Sequence, residues 1–162
     1  MWLTRCERYI EAIDILYSAN HFSLKGSRGV AAFQSVTPRL QWEQIRHVHI
    51  STVFLTPREY YPAHKHFPPD NYHEWPQACA IVGTLSGLRS LRFEITVADV
   101  LRESIELDTV KAILEPLARL SCPVFEVAMN VAVPDGLVEG FGRLPFTLTV
   151  DERQVDRLLH DL

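Results

Sequence analysis

Apolar and polar positions change period several times along the chain. Leu3, Cys6, Ile10, Ile13 and Tyr17 fall three and four residues apart, which is one stripe of a helix. Thr4 and Glu7 have the spacing of a capping box at its start, and Asn20 suits a left-handed end. His21-Phe22-Ser23-Leu24 then alternates as a short strand does, until Gly26-Ser27 interrupts it. Ser27 is expected to cap a second short helix carrying Val30, Phe33 and Val36, ended near Thr37-Pro38. Residues 45–54 read as the second strand. Trp75-Pro76 starts a third helix, with Cys79, Val82 and Leu85 on its buried side and Gly87 at its end. Residues 91–97 alternate most strictly and form the clearest strand.

Asp108 is placed to cap the next helix, through Val110, Ile113, Leu114, Leu117 and Leu120, with Pro116 expected to bend it. Residues 124–129 are a fourth strand. A Gly-rich turn region over 134–142 precedes a strand at 146–150, and Asp151 can cap a closing helix with Val155, Leu158 and Leu159. Strands separated by helices favour an α/β fold of helix-strand repeats. Right-handed crossovers would give a largely parallel sheet with helices on one face, in a leucine-rich-repeat-like or open-sheet arrangement.

The length of 162 residues fits one domain over 1–162 with a real core. With 16 Lys and Arg against 20 Asp and Glu, the net charge of −4 gives no basic footprint for nucleic acid. No apolar run approaches the roughly 20 residues that span a bilayer, and no signal peptide leads the chain, so no membrane partner is expected. Cys6, Cys79 and Cys122 are far apart and odd in number, which suggests reduced thiols and a cytoplasmic or nuclear setting. Cys122, before Pro123, reads as a packing residue. No phosphate loop, dinucleotide fingerprint or Gly-x-Ser-x-Gly elbow is present, so no cofactor is expected.

Strand parity locates the candidate chemistry. If helices cover the face holding Phe22, Val48, Ile50, Phe93 and Val127, the other face receives His21, Ser23, His47, His49, Arg92, Glu94, Thr96, Glu126 and Asn130. With strands in sequential order, His49 lies beside Glu94, and Glu94 beside Glu126. A carboxylate beside an imidazole is the arrangement of a general base, so His49 and Glu94 are the candidate catalytic pair. His47, Arg92 and Glu126 are candidate ligand contacts on the same face. A solvated face with offsetting charges explains the same pattern without chemistry.

Residues 56–75 hold Pro57, Pro62, Pro68 and Pro69 and read as a long loop. Tyr60, Tyr61, Phe67 and Tyr72 are placed to fold over the polar face as a lid, with Tyr60, Tyr61 and His66 as ligand contacts. A flexible surface insertion is the plainer alternative. His64, His66, Asp70 and His73 are metal-ligand types, but loop spacing fixes no geometry and no metal site is expected. Trp2, Trp42 and Trp75 read as core anchors.

Residues 11–22, Glu-Ala-Ile-Asp-Ile-Leu-Tyr-Ser-Ala-Asn-His-Phe, resemble the Glu-Ala-x-x-x-Leu-Tyr-Ser-x-Asn-x-Phe signature of a large fungal family of unknown function. Members of that family often resemble regions that follow F-box motifs. Pro38-Arg39-Leu40 with Ile45-Arg46-His47-Val48, residues 85–92, Leu114-Glu115-Pro116-Leu117 and Pro145-Phe146-Thr147-Leu148 continue the resemblance in order. Arg5-Cys6-Glu7-Arg8-Tyr9 stands where the family usually has Cys-Arg-x-Ile-Tyr. The resemblance implies a helix-strand sheet fold and transfers no catalytic residue. The chain starts almost on its first helix without an F-box-like segment, so a ligase-adaptor role is not expected. Two main readings follow. One is an interaction domain with a protein partner, a second copy of itself or a small ligand on the polar face. The other is a small-molecule isomerase, cyclase or lyase of fungal secondary metabolism. A shortened piece of a longer protein is a third.

Overall fold

The computed structural model describes residues 3–56, 70, 72–99 and 107–151, and the side chains of these except 3–10, 99 and 135. In chain order the elements are α1 (Leu3–Ala19), β1 (His21–Lys25), α2 (Gly26–Val36), α3 (Arg39–Trp42), β2 (His47–Thr56) and α4 (Trp75–Val82). They continue with β3 (Ser90–Asp99), α5 (Leu107–Leu117), β4 (Val124–Met129), α6 (Asp135–Phe141) and β5 (Thr147–Val150). The five strands form one sheet in the order β1-β2-β3-β4-β5, and every neighbouring pair is parallel. The α/β class and the parallel sheet expected from the sequence are therefore present.

Alternation decides which way each strand faces. Along β2 the residues switch strictly between half-buried and buried, with Val48, Ile50, Thr52, Phe54 and Thr56 on the buried side. Phe93, Ile95, Val127 and Met129 join them at 0% exposure. The helices close over this side. Tyr17 of α1 stacks on Phe22, which meets Phe33 of α2, which meets Trp42 of α3. Trp75 of α4 sits edge-on between Phe54 and Phe93, at ring distances of 5.3 and 5.6 Å. Its indole N–H donates to the Ile113 carbonyl of α5 at 2.9 Å, so burial leaves no orphan donor. Leu137 and Phe141 of α6 pack on the same core.

Several local expectations are revised. The Gly-rich stretch at 134–142 is mostly helix, with Pro134 before its first turn and only Gly142 at positive φ (70°). Proline's fixed φ starts the helix, and two solvent-facing glycines weaken it without breaking it. Pro116 is the second-last residue of α5, inside the helix, where its ring removes the N–H that would donate to the Ala112 carbonyl. α4 ends at Gly83, before Gly87. Asp108 lies inside the first turn of α5. The side chains of Thr4 and Glu7, Trp2, and the closing helix expected after Asp151 lie outside the described residues.

The start of α2 shows why local sequence misled. Ser27 does not act as the cap: its own hydroxyl is buried without a partner. The backbone N–H of Ser27 donates instead to Asp70 Oδ2 at 2.9 Å, 43 residues away. Thr52 Oγ1 of β2 donates to the same oxygen at 2.6 Å, and the Asp70 N–H donates to the Val53 carbonyl at 2.6 Å. One carboxylate thus holds a helix start against the sheet, where the helix dipole also favours negative charge. Gly26, at φ 59°, makes the turn that brings the two together.

Candidate functional site

The sheet face away from the helices carries the residues that parity assigned to it. His21, Ser23 and Lys25 are exposed on β1, and His47, His49 and Ser51 are half-buried on β2. Arg92 and Glu94 follow on β3, and Glu126 on β4. His49 Nε2 lies 3.3 Å from Glu94 Oε2. The two are not aligned for a hydrogen bond, and Nε2 is shielded from solvent without a partner.

The register differs from the simple adjacency expected of it. His49 pairs across the backbone with Arg92, not Glu94, and Glu94 pairs with Ala128, not Glu126. The imidazole therefore reaches Glu94 on the diagonal, which parallel strands allow for long side chains. Arg92 stands between the two carboxylates. Its guanidinium lies 3.0 Å from Glu94 Oε1 and 3.7 Å from Glu126 Oε2. This separates two acids that would otherwise repel, and it offsets the charge of Glu94. At 34% exposure for His49 and 33% for Glu94, the pair is screened by water, and its strength as an ion pair is small.

A second cluster lies at the strand starts. The His21 and His47 rings stack, 4.4 Å apart and 19° from parallel, because the register sets these residues opposite each other. Burial holds the His47 imidazole below its ordinary pKa, and the neighbouring His21, Arg89 and Arg46 push in the same direction. Its Nδ1 is shielded without a hydrogen-bond partner. Arg46 and Arg89 did not join the polar set: Arg46 fell inside the strand expected over 45–54 with the parity of Val48 and Ile50, and Arg89 fell ahead of the one expected over 91–97, whereas β2 begins at His47 and β3 at Ser90.

The polar character fades along the strands. Val53 and Leu55 succeed Ser51 on β2, while Thr96 and Ala128 are buried at 7% and 4% exposure. Thr96 keeps the side that parity gave it but is not solvent-facing. Asn130 turns its amide to β3, accepting from the Val97 N–H at 2.7 Å and donating to the Val97 carbonyl at 3.0 Å. It extends the ladder by one surrogate rung.

Tyr60, Tyr61, His64, His66 and Phe67 lie outside the described residues. Tyr72 corrects part of the lid expectation. Its ring packs 4.9 Å from Phe54 and its hydroxyl donates to the Leu55 carbonyl at 2.8 Å, so it belongs to the helical side. Asp70 is engaged by Ser27 and Thr52, and no group of three or more His, Cys, Asp or Glu is gathered to hold a metal among the described residues. Burial pushes both the Cys79 and Cys122 thiols up, away from thiolate reactivity. Two cavities, of about 310 and 340 Å³, lie between α4 and α5 and at the starts of β4 and β5. Neither includes His49 or Glu94.

Residues 1–136 match the family model of a domain of unknown function, DUF7730. The chain belongs to this family. No curated protein and no solved structure matches it significantly. The DUF7730 segment carries β1 to β4, and with them His21, His47, His49, Arg92, Glu94 and Glu126. It ends inside α6, so β5 lies past the matched region. No helix among the described residues is long and apolar enough to cross a membrane.

Proposed function

We propose that this domain is an interaction module that docks a protein partner across the sheet face that no described helix covers. The observation that carries this reading is the strand order. Five parallel strands laid down in sequence never reverse direction of growth. Open α/β sheets bind small ligands in the crevice where that order reverses, and the described strands have no such point. Parallel sheets are ordinarily covered on both faces. Here the described helices cover one, and the other presents His21, His47, His49, Arg92 and Glu126 to solvent or half-exposed. A face of this kind suits a polar, charge-complementary partner, which a second copy of the chain could also be.

The isomerase, cyclase or lyase reading is not favoured. Glu94 is shared with Arg92 at 3.0 Å, and no hydrogen bond joins it to His49. Reduced Cys79 and Cys122 support a cytoplasmic or nuclear setting.

The test is position-specific photo-cross-linking in native cells, with the reactive residue at Glu126 on the sheet face or at exposed Lys111 on α5. Adducts from Glu126 alone support docking on the sheet. Adducts from neither, or equally from both, overturn it. Mass spectrometry of a metabolite extract from the purified protein checks the other side: a stoichiometric small molecule would restore the enzyme reading.

A further inference from the structure

The open face divides into two electrostatic regions. In its centre every strong charge is answered: Arg92 lies between Glu94 and Glu126, and Glu94 also faces His49. At the strand starts no described acid answers. His21, His47, Arg46 and Arg89 have no ion pair with any described acid, in a chain whose net charge is −4. We infer that this corner, where the stacked His21 and His47 rings meet Arg46 and Arg89, is an oxyanion site that receives a phosphate or carboxylate group of the docked partner. The source of the anion rests on the interaction-module reading; the site itself rests on the cluster.

The corner is built before any ligand arrives. Register fixes His21 against His47, and His47 against Ser90, with Arg46 and Arg89 immediately ahead of those strands. Arg46 is not a waving surface side chain. Its Nη1 donates to the Glu43 carbonyl at 2.9 Å and the Ile45 carbonyl at 3.3 Å. The guanidinium fills the space where a side chain at position 87 would stand, so a Cβ on Gly87 would collide with it. Its remaining N–H groups have no described acceptor. The His47 Nδ1 is likewise shielded and unpartnered, and a buried polar atom in that state gains from a ligand that completes it. The His47 imidazole, held below its ordinary pKa by burial and cationic neighbours, takes up a proton more readily once an anion is bound, and hydrogen bonds to that anion are charge-assisted.

The neighbours limit the ligand to a single anionic group. A nucleic-acid strand needs a continuous basic track for successive phosphates. Further along the same face Arg92 is already shared by Glu94 and Glu126 and offers little to the next phosphate in the row. An isolated phosphorylated or acidic side chain on a protein segment avoids that conflict.

The test is an NMR titration of the full chain with inorganic phosphate, and separately with acetate, at constant ionic strength and pH. Saturable shifts are expected at the ring protons of His21 and His47 and the amide of Arg89, with little change at His49 or Thr149. Saturation by both anions defines a general oxyanion site, and saturation by phosphate alone defines a phosphate site. Arg89→Ala, an exposed change, should weaken binding about tenfold. His21→Phe, which keeps the ring stack without its nitrogens, should weaken it by several-fold. Linear shifts, equal shifts at His49, or undiminished binding in Arg89→Ala would overturn the site. Cross-linking at Glu126 separates the two failures, since it reports docking whether or not the corner takes an anion.

Discussion

The two sides of β2 make the sharpest contrast in the molecule. Its even-numbered residues, Val48 to Thr56, are sealed against helices, while His47, His49 and Ser51 stay half-buried on the opposite side. Ten consecutive residues thus serve two environments with one backbone. On the sealed side, neighbours are chosen by shape. On the other, they are chosen by charge, and the arrangement tolerates a diagonal contact such as His49 with Glu94. Substitution should therefore cost far more on one side than on the other.

Phe93→Ala should give the largest effect. The ring is fully buried and touches Trp75 and Phe125, and truncating such an aromatic costs about 3–5 kcal/mol. Denaturant unfolding measures it directly, and a loss near zero would break the contrast. Asp70→Ala should come next, at about 1–3 kcal/mol, because it strips the acceptor from Thr52 and the Ser27 amide, both buried. Wild-type stability in that variant would mean the cap is replaceable by water. His49→Ala should change stability by about 0.5 kcal/mol or less, as exposed substitutions do. Were thermal melts to find it more damaging than Phe93→Ala, the two sides would have been assigned the wrong way round.

The strands were legible because alternation is written into each one locally. Residues 124–129 agree at both ends, and β3 extends the expected 91–97 by only one and two residues. The polar set on the open side followed from the same parity. Register was not legible. A strand's own pattern says which side a residue faces, but not which neighbour it meets, and that depends on how the crossover packs. Hence Ala128, not Glu126, stands across from Glu94, and Arg92 stands across from both His49 and Glu126. Asp70 was equally hidden, since its partners are 18 and 43 residues away and no short-range rule links them. The short helix α3 gave no periodic signal over its four residues.

Sequential strand order has a mechanical consequence. Each strand leans only on the strand before and after it, so damage travels poorly. A lesion in β1 would fray one margin of the molecule while β3, β4 and β5 keep their ladders intact. The His21–His47 stack would then be the first feature lost, long before the Trp75 girdle gave way.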